Sequence, residues 1–262
     1  MNFETWLKHK LLAIPPVASA HGDKVDDFIV YIHYLMAALF VIWMAYFCYA
    51  VFRFRKSAHP KADYTGVKSQ ASTWLEIGVA VVEVVLLLGF AIPLWASAVD
   101  ADKFPAEKDS LVIRVIAEQF VWNVRYPGAD GKFGKQDPKL IAPDNPFGVD
   151  KTDPADTTWK DDVDAKEIHV PLGKPVIAHI TSKDVIHCFK VVPMRVTQDA
   201  IPGMSIPVHF KATKVGKYQI TCAQLCGSGH ATMKGLLVVD TEEDFKAWLA
   251  KASKGTTATS FE

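Results

Sequence analysis

Twelve residues, Cys222-Ala-Gln-Leu-Cys226-Gly-Ser-Gly-His230-Ala-Thr-Met233, carry two thiols, an imidazole and a thioether. Soft and borderline ligands of this kind suit copper, zinc or iron and exclude magnesium or calcium. A mononuclear blue-copper site takes one thiolate, two imidazoles and a weak axial thioether, so this loop has one thiolate too many. Two cysteines four apart could instead bridge two copper ions. Cys222, Cys226 and His230 with a distant histidine would make a four-coordinate zinc site, but a thioether has little use on zinc and is the usual weak ligand of copper electron-transfer centres. A disulfide between Cys222 and Cys226 is the third reading, for a domain exported into an oxidising space. The missing second histidine should come from a neighbouring strand, and Asp184-Val-Ile-His187 supplies one within an apolar, β-branched run.

The elements that must position these ligands are short β-rich runs separated by turn residues. They are Leu111–Ala117, Phe120–Tyr126, Glu167–Pro171, Val176–Thr181, Val185–Val192, Ile206–Thr213, Lys217–Cys222 and Gly235–Val239. Their length and spacing suit an antiparallel sandwich. Thr241-Glu-Glu-Asp244 is a capping signal for a terminal helix with Phe245, Trp248 and Leu249 on one face. Between Pro127 and Asp164 lies a Gly-, Pro- and Asp-rich insertion, read as an ordered surface excursion.

Upstream, residues 28–52 are apolar and carry no formal charge, long enough to cross a bilayer core of about 30 Å. A second such stretch runs from Trp74 to Ala98 and carries Glu76 and Glu83. Arg53, Arg55, Lys56, Lys61 and Lys68 stand between them with only Asp63 opposing. The positive-inside rule therefore puts this loop in the cytoplasm and both chain ends outside. The start, Trp6 to Ala20, is broken by Pro15-Pro16, and reads as an interfacial segment rather than a cleaved signal. The expected divisions are an N-terminal interfacial segment at 1–27 and a transmembrane hairpin at 28–99 with a cytoplasmic loop at 53–73. A periplasmic β domain at 100–240 and a C-terminal helix and tail at 241–262 complete them. The balance of 29 basic and 29 acidic residues argues against nucleic acid as a partner.

Asp184-Val-Ile-His187, Gln198-Asp-Ala-Ile-Pro-Gly203 and the Cys222-to-Met233 loop together closely resemble subunit II of haem-copper cytochrome c oxidases, over about residues 12 to 240. The resemblance implies a two-helix transmembrane hairpin followed by an all-β cupredoxin-like Greek-key barrel, with the metal loop joining the last two strands. It implies a bacterial inner-membrane protein with both termini and the barrel in the periplasm. The expected cofactor is the binuclear copper centre CuA, with Cys222 and Cys226 as bridging thiolates. His187 and His230 would each bind one copper, with Met233 on one ion and the backbone carbonyl of Gln224 on the other. Oxidase subunits I and III would be partners, cytochrome c the electron donor, and haem would reside in subunit I alone, within a proton-translocating complex. Many members have glutamate where this chain has Gln224. A neutral amide is a poorer ligand for a hard cation, which weakens the expectation of magnesium beside CuA at the subunit I interface. A CuA-bearing nitric oxide reductase subunit would share the copper motif, and a zinc-stabilised structural domain is the non-redox alternative. A quinol oxidase subunit II would share spans and barrel but lack the ligands. No Cys-x-x-Cys-His haem-attachment motif occurs.

Glu76, in Leu75-Glu-Ile, matches the family's carboxylate at the cytoplasmic entrance of the K proton pathway, against the plainer reading of an interfacial glutamate. Glu83 has no family counterpart and lies deeper, where an ionisable group calls for a polar partner. The family's aromatic patch, commonly Gln-Trp-x-Trp, reads here Gln119-Phe120-Val-Trp122. Phe120 thus occupies the position under the docked donor, with Trp122 and Tyr126 nearby, although barrel core explains their alternation equally. Asp153, Asp156, Asp161, Asp162 and Asp164 are the carboxylates available to attract a basic donor. His169, His179 and His209 fall in strands and Cys48 in an apolar helix, none of them expected as ligands. Cys188 should point to the opposite strand face from His187 and miss the metal.

Overall fold

The computed structural model describes residues 3–61, 64–65 and 69–258. Asp63 and Lys68 of the basic loop, and the ends of the first and last expected segments, lie outside these residues. Two units are described in turn, residues 1–12 with 24–97, and residues 13–23 with 98–262.

The first unit holds two helices long and apolar enough to cross a membrane, α1 (Gly22–Arg53) and α2 (Ala71–Val99). Most of their apolar side chains are exposed, as a lipid-facing surface requires, Val30 being a buried exception. Within α2 the residues Leu87–Ala91 widen into a π-turn. Pro93 lies just beyond it. A proline lacks the N–H of the helical ladder and its ring crowds the carbonyl four residues back, so a widened turn there relieves the clash.

The second unit is a sandwich of two five-stranded sheets followed by a helix. Its strands are β1 (Leu111–Glu118), β2 (Val121–Tyr126), β3 (Val163–Ala165), β4 (Ile168–Pro171) and β5 (Pro175–Ser182). They continue with β6 (His187–Val191), β7 (Val196–Ala200), β8 (Ile206–Lys211), β9 (Gly216–Cys222) and β10 (Lys234–Asp240). The sheet orders are β3-β2-β1-β5-β8 and β4-β10-β9-β6-β7. The antiparallel expectation is corrected at two places, because β1 pairs with β5 and β4 with β10 in parallel. Parallel pairs need long crossover connections, and the insertion after β2 and the long excursion from β4 to β10 provide them. β3 and β7 were not anticipated. β3 has only three residues, and β7 follows a tight turn in which Arg195 takes a left-handed φ of 53°.

Ile113, Val115, Ala117, Trp122, Val124, Phe189, Ile220 and Leu237 form the core between the sheets. The other face of β1 is covered too. Ile116 packs against Phe147 and Val149 of the insertion, with Trp159 alongside. The insertion is ordered by side chains that cap its own backbone. Asn145 Nδ2 donates to the carbonyls of Leu140 and Val149 and its Oδ1 accepts from Val149 N, and Asp162 Oδ2 accepts from Gly134 N at 2.9 Å.

The segment just before α1 hydrogen-bonds to the strands. Ala18 N donates to Pro193 O at 2.8 Å, Thr213 N to Ala18 O at 2.9 Å, and Ser19 Oγ to Met194 O at 2.7 Å. Residues 13–23 therefore belong with the β domain, where these backbone groups find partners. The last helix, α3 (Glu242–Ala258), starts as its capping signal predicts, with Asp244 N donating to Thr241 Oγ1 at 3.2 Å. Phe245 is buried and Trp248 and Leu249 pack on the core, so this face of α3 closes against the sandwich.

Candidate metal centre

The loop between β9 and β10 hangs its ligands over the end of the barrel. Cys222 closes β9, the loop returns through a single 3-10 turn at His230–Thr232, and Met233 stands immediately before β10. Met233 O accepts from Cys222 N at 3.3 Å, which pins the two ends of the loop together. His187 opens β6, whose Phe189 is paired with Cys222 across the sheet.

The sulfurs of Cys222 and Cys226 lie 3.7 Å apart, whereas a disulfide needs about 2.05 Å. Both thiols are free, which removes the disulfide reading. His187 Nδ1 is 3.9 Å from Cys222 Sγ and His230 Nδ1 is 3.6 Å from Cys226 Sγ. Met233 Sδ lies 3.8 Å from Cys226 Sγ, and the Gln224 carbonyl oxygen 3.1 Å from Cys222 Sγ. Each ligand atom that the sequence singles out thus lies within reach of one of two paired thiols. Among the described residues, the ligand atoms of His187, Cys222 and Cys226 form a group lying within 4.8 Å of one another. His187 and Met233 are almost fully buried and Cys226 nearly so.

This donor set fits copper on its chemistry. Burial pushes the Cys226 thiol up to about 11, and the neighbouring Cys222 adds to the rise. A thiol raised in this way stays protonated unless a cation displaces the proton, which a soft metal does. A thioether 3.8 Å from the shared sulfur and 1% exposed has no role in a zinc site.

Asp184 and Gln119 hold the ligands in place, and sequence reading had assigned neither a role. Asp184 Oδ1 accepts from His187 Nε2 at 2.9 Å, while its Oδ2 accepts from Gln119 N at 2.7 Å. Burial alone would raise the Asp184 carboxyl, but these bonds and one from Val185 N overcome it and hold the group below the usual carboxylate range. The Gln119 side chain then donates to Cys226 O at 2.7 Å. The signal was present in the spacing, an acid three residues before the histidine. Its meaning needed the third dimension.

The three aromatics fare differently. Phe120 lies on the metal loop: a Cβ added at Gly229 would fall 2.4 Å from its ring, and one at Gly227 3.2 Å. Trp122 is 1% exposed, its ring 6.2 Å from that of His187 and 5.4 Å from that of Phe189, so it backs the site from inside the core. Tyr126 lies deeper in the domain. It is fully buried, its hydroxyl donates to His169 O at 3.0 Å and accepts from His169 N at 2.7 Å, and its ring packs on Trp248.

The acidic residues of the insertion have partners of their own. Asp162 is buried against Arg125, and Asp164 pairs with the same guanidinium. Asp153 pairs with Lys135, and Asp156 accepts from Lys135 N and Thr158 N. These contacts order the insertion, while Asp164 stays exposed and Asp153, Asp156 and Asp161 half-buried. Cys188 is buried, and burial together with Asp199 pushes its thiol up to about 12. It stands outside the tight ligand group, as do His169, His179 and His209 on β4, β5 and β8. Glu76 is an exposed residue near the start of α2.

A family model described as cytochrome c oxidase subunit II, periplasmic domain, matches residues 111–241. The chain is 32% identical over 236 residues to an alternative cytochrome c oxidase subunit 2 of Bradyrhizobium diazoefficiens, covering 89% of this chain and 82% of the relative. It is 28% identical over 252 residues to a cytochrome c oxidase subunit 2 of Cereibacter sphaeroides, covering 92% of this chain and 80% of that one. Among solved structures, the periplasmic domain of subunit II of cytochrome oxidase from Bradyrhizobium japonicum is 30% identical, with a TM-score of 0.42, over 58% of this chain and 98% of that domain. With the ligand loop, the partner histidine and the two apolar helices in one chain, the sequence and its relatives agree that the protein belongs to the cytochrome c oxidase subunit II family.

Proposed function

We propose that the chain is the electron-accepting subunit of a terminal cytochrome c oxidase, taking electrons from cytochrome c and passing them to haem in subunit I, where oxygen is reduced to water. The observation that carries this reading is the pair of free thiols 3.7 Å apart, each flanked by an imidazole Nδ1. His187, Cys222, Cys226, His230, Met233 and the Gln224 carbonyl would hold a binuclear copper centre. When bound, such a centre supplies a one-electron carrier that changes charge with little change of geometry. Asp184 fixes the tautomer of His187, Gln119 braces Cys226 from behind, and Phe120 shields the loop from water.

The proposed topology has α1 and α2 crossing the inner membrane, residues 53–73 in the cytoplasm, and the β domain in the periplasm. Subunits I and III are the proposed membrane partners. Phe120 is proposed to contribute apolar contact to donor docking, with Trp122 acting from the core behind His187. Glu76 is proposed as the cytoplasmic proton-uptake carboxylate of the assembled oxidase. A magnesium site at Gln224 is not part of this reading, since its side chain offers only a neutral amide.

The test is metal content and donor kinetics of the full chain purified with copper. Two coppers per chain, with a mixed-valence spectrum and reduction by a ferrous c-type cytochrome, are expected. One metal per chain, or zinc retained against excess copper, would overturn the reading.

A further inference from the structure

The insertion after β2 does more than cover the sheet. Together with the outer face of β1 and β5 and the turn before β8 it lines an open cavity of about 560 Å³ that includes no residue of the metal loop. Three basic residues stand side by side across the strands there. Arg114 of β1 is the register partner of Arg125 on β2 and of His179 on β5. Directly opposed residues share a sheet face and their like charges repel. Arg125 is neutralised by Asp162 and Asp164. Among the described residues, no carboxylate pairs with Arg114.

The guanidinium of Arg114 lies 4.2 Å from the centre of the Phe133 ring and donates to Gln136 Oε1. That contact orients the Gln136 amide, whose Nε2 is buried and has no hydrogen-bond partner. A buried donor without an acceptor is costly. His179 reports the same imbalance: burial lowers its imidazole and the Arg114 charge lowers it further, against a raising influence of the exposed Glu107. The lining therefore presents one unspent donor, the Gln136 amide, and a guanidinium that Asp162 influences without pairing to it, with the exposed Glu107 also among the lining residues. Phe133 and Ile141 add apolar wall. The space is in the range of small-molecule pockets and far larger than an inorganic anion needs.

We propose that this cavity binds a small organic carboxylate, its head group held by Arg114 and the Gln136 amide and its apolar body against Phe133 and Ile141. A carboxylate matches the planar guanidinium fork. It also provides the acceptor that Gln136 Nε2 lacks.

The test is calorimetric titration of the purified full chain with hexanoate, with hexan-1-ol and inorganic phosphate as comparisons. Saturable binding of one hexanoate per chain is expected, with both comparison compounds at least about tenfold weaker, as loss of a charge-assisted hydrogen bond implies. Arg114→Gln should weaken hexanoate by a similar factor, and Gln136→Leu, which leaves the sheet untouched, by a smaller one. Copper content equal to that of the unsubstituted chain checks that each variant is folded. Absence of saturable binding would overturn the proposal, as would unchanged affinity in both variants. Hexanol binding equally well would leave only an apolar crevice, and phosphate binding equally well an inorganic-anion site; either result overturns the carboxylate. Loss of hexanoate binding in the assembled oxidase would assign the cavity to a subunit contact, and would overturn it too.

Discussion

His187 offers its two ring nitrogens to different partners: Nε2 lies 2.9 Å from Asp184 Oδ1, and Nδ1 lies 3.9 Å from Cys222 Sγ. An ionised carboxylate only accepts, so Nε2 carries the proton and the Nδ1 lone pair faces the thiols. Such an outer partner fixes ring orientation and raises ligand basicity. Asp184→Asn keeps the size but removes the charge, and sets an amide donor in conflict with Gln119 N. Copper affinity should fall about 10- to 100-fold, measured by competition with a chelator of known affinity. Unchanged affinity would reduce Asp184 to a turn-forming residue.

Cys188 follows His187 in β6 and points to the other strand face, outside the ligand group. Cys188→Ser should therefore retain two coppers and their spectrum, whereas Cys222→Ser or Cys226→Ser should lose the mixed-valence signal. Metal analysis with absorption spectroscopy decides between them. Loss of the centre in Cys188→Ser alone would refute the facing assignment.

The Phe120 ring occupies the space beside Gly229, where a methyl group would sit 2.4 Å from it. Gly229→Ala should destabilise the copper-loaded chain by about 1–3 kcal/mol through overpacking. Combined with Phe120→Leu the cost should shrink, because the two side chains contend for one space. Thermal unfolding of the four proteins in the cycle gives the coupling, and strict additivity would argue against the contact. Phe120→Leu should also weaken donor docking, seen as a higher cytochrome concentration for half-maximal reduction rate.

Asp162 sits buried with its Oδ1 unpartnered, and burial raises its carboxyl from 3.8 to about 6 despite Gly134 N and Arg125. Between about pH 4 and pH 6 the folded chain holds a proton that the unfolded chain has released. Stability from this group is then present at the acid end and lost as pH rises through the folded value. Asp162→Asn, which keeps an acceptor for Gly134 N, should remove that decline. The measurement is the difference in unfolding midpoint between variant and unsubstituted chain from pH 4 to pH 7; a difference independent of pH would contradict it.

Glu76 stands near the start of α2, exposed on an apolar helix. Glu76→Ala should slow steady-state oxygen consumption of the assembled oxidase several-fold while copper reduction by cytochrome c keeps its rate, since loss of a positioned proton carrier slows only the proton-coupled step. Stopped-flow reduction and oxygen-electrode turnover separate the two. Equal turnover would return Glu76 to an interfacial role.

The ligand set was legible in the chain because ligand chemistry is a property of residue type and most of the donors lie on one loop, Cys222 to Met233. The membrane helices were legible because the bilayer selects by length and apolarity alone. The parity of β6 likewise separated His187 from Cys188 before any coordinates. What the sequence could not decide depends on strands far apart in the chain. The Asp184–Gln119 and Gln119–Cys226 bonds bridge separations of 65 and 107 residues, and no local pattern encodes them. Arg125, held on β2, takes Asp162 and Asp164 of the insertion, a pairing across 37 and 39 residues that the acidic run by itself does not announce. Trp122 and Tyr126 read as surface or core with equal ease, since alternation marks two faces without saying which is wet. Here both faces of β2 are covered, one by the opposite sheet and one by the insertion. Burial is a property of the packed assembly of strands, and only the tertiary structure determines it.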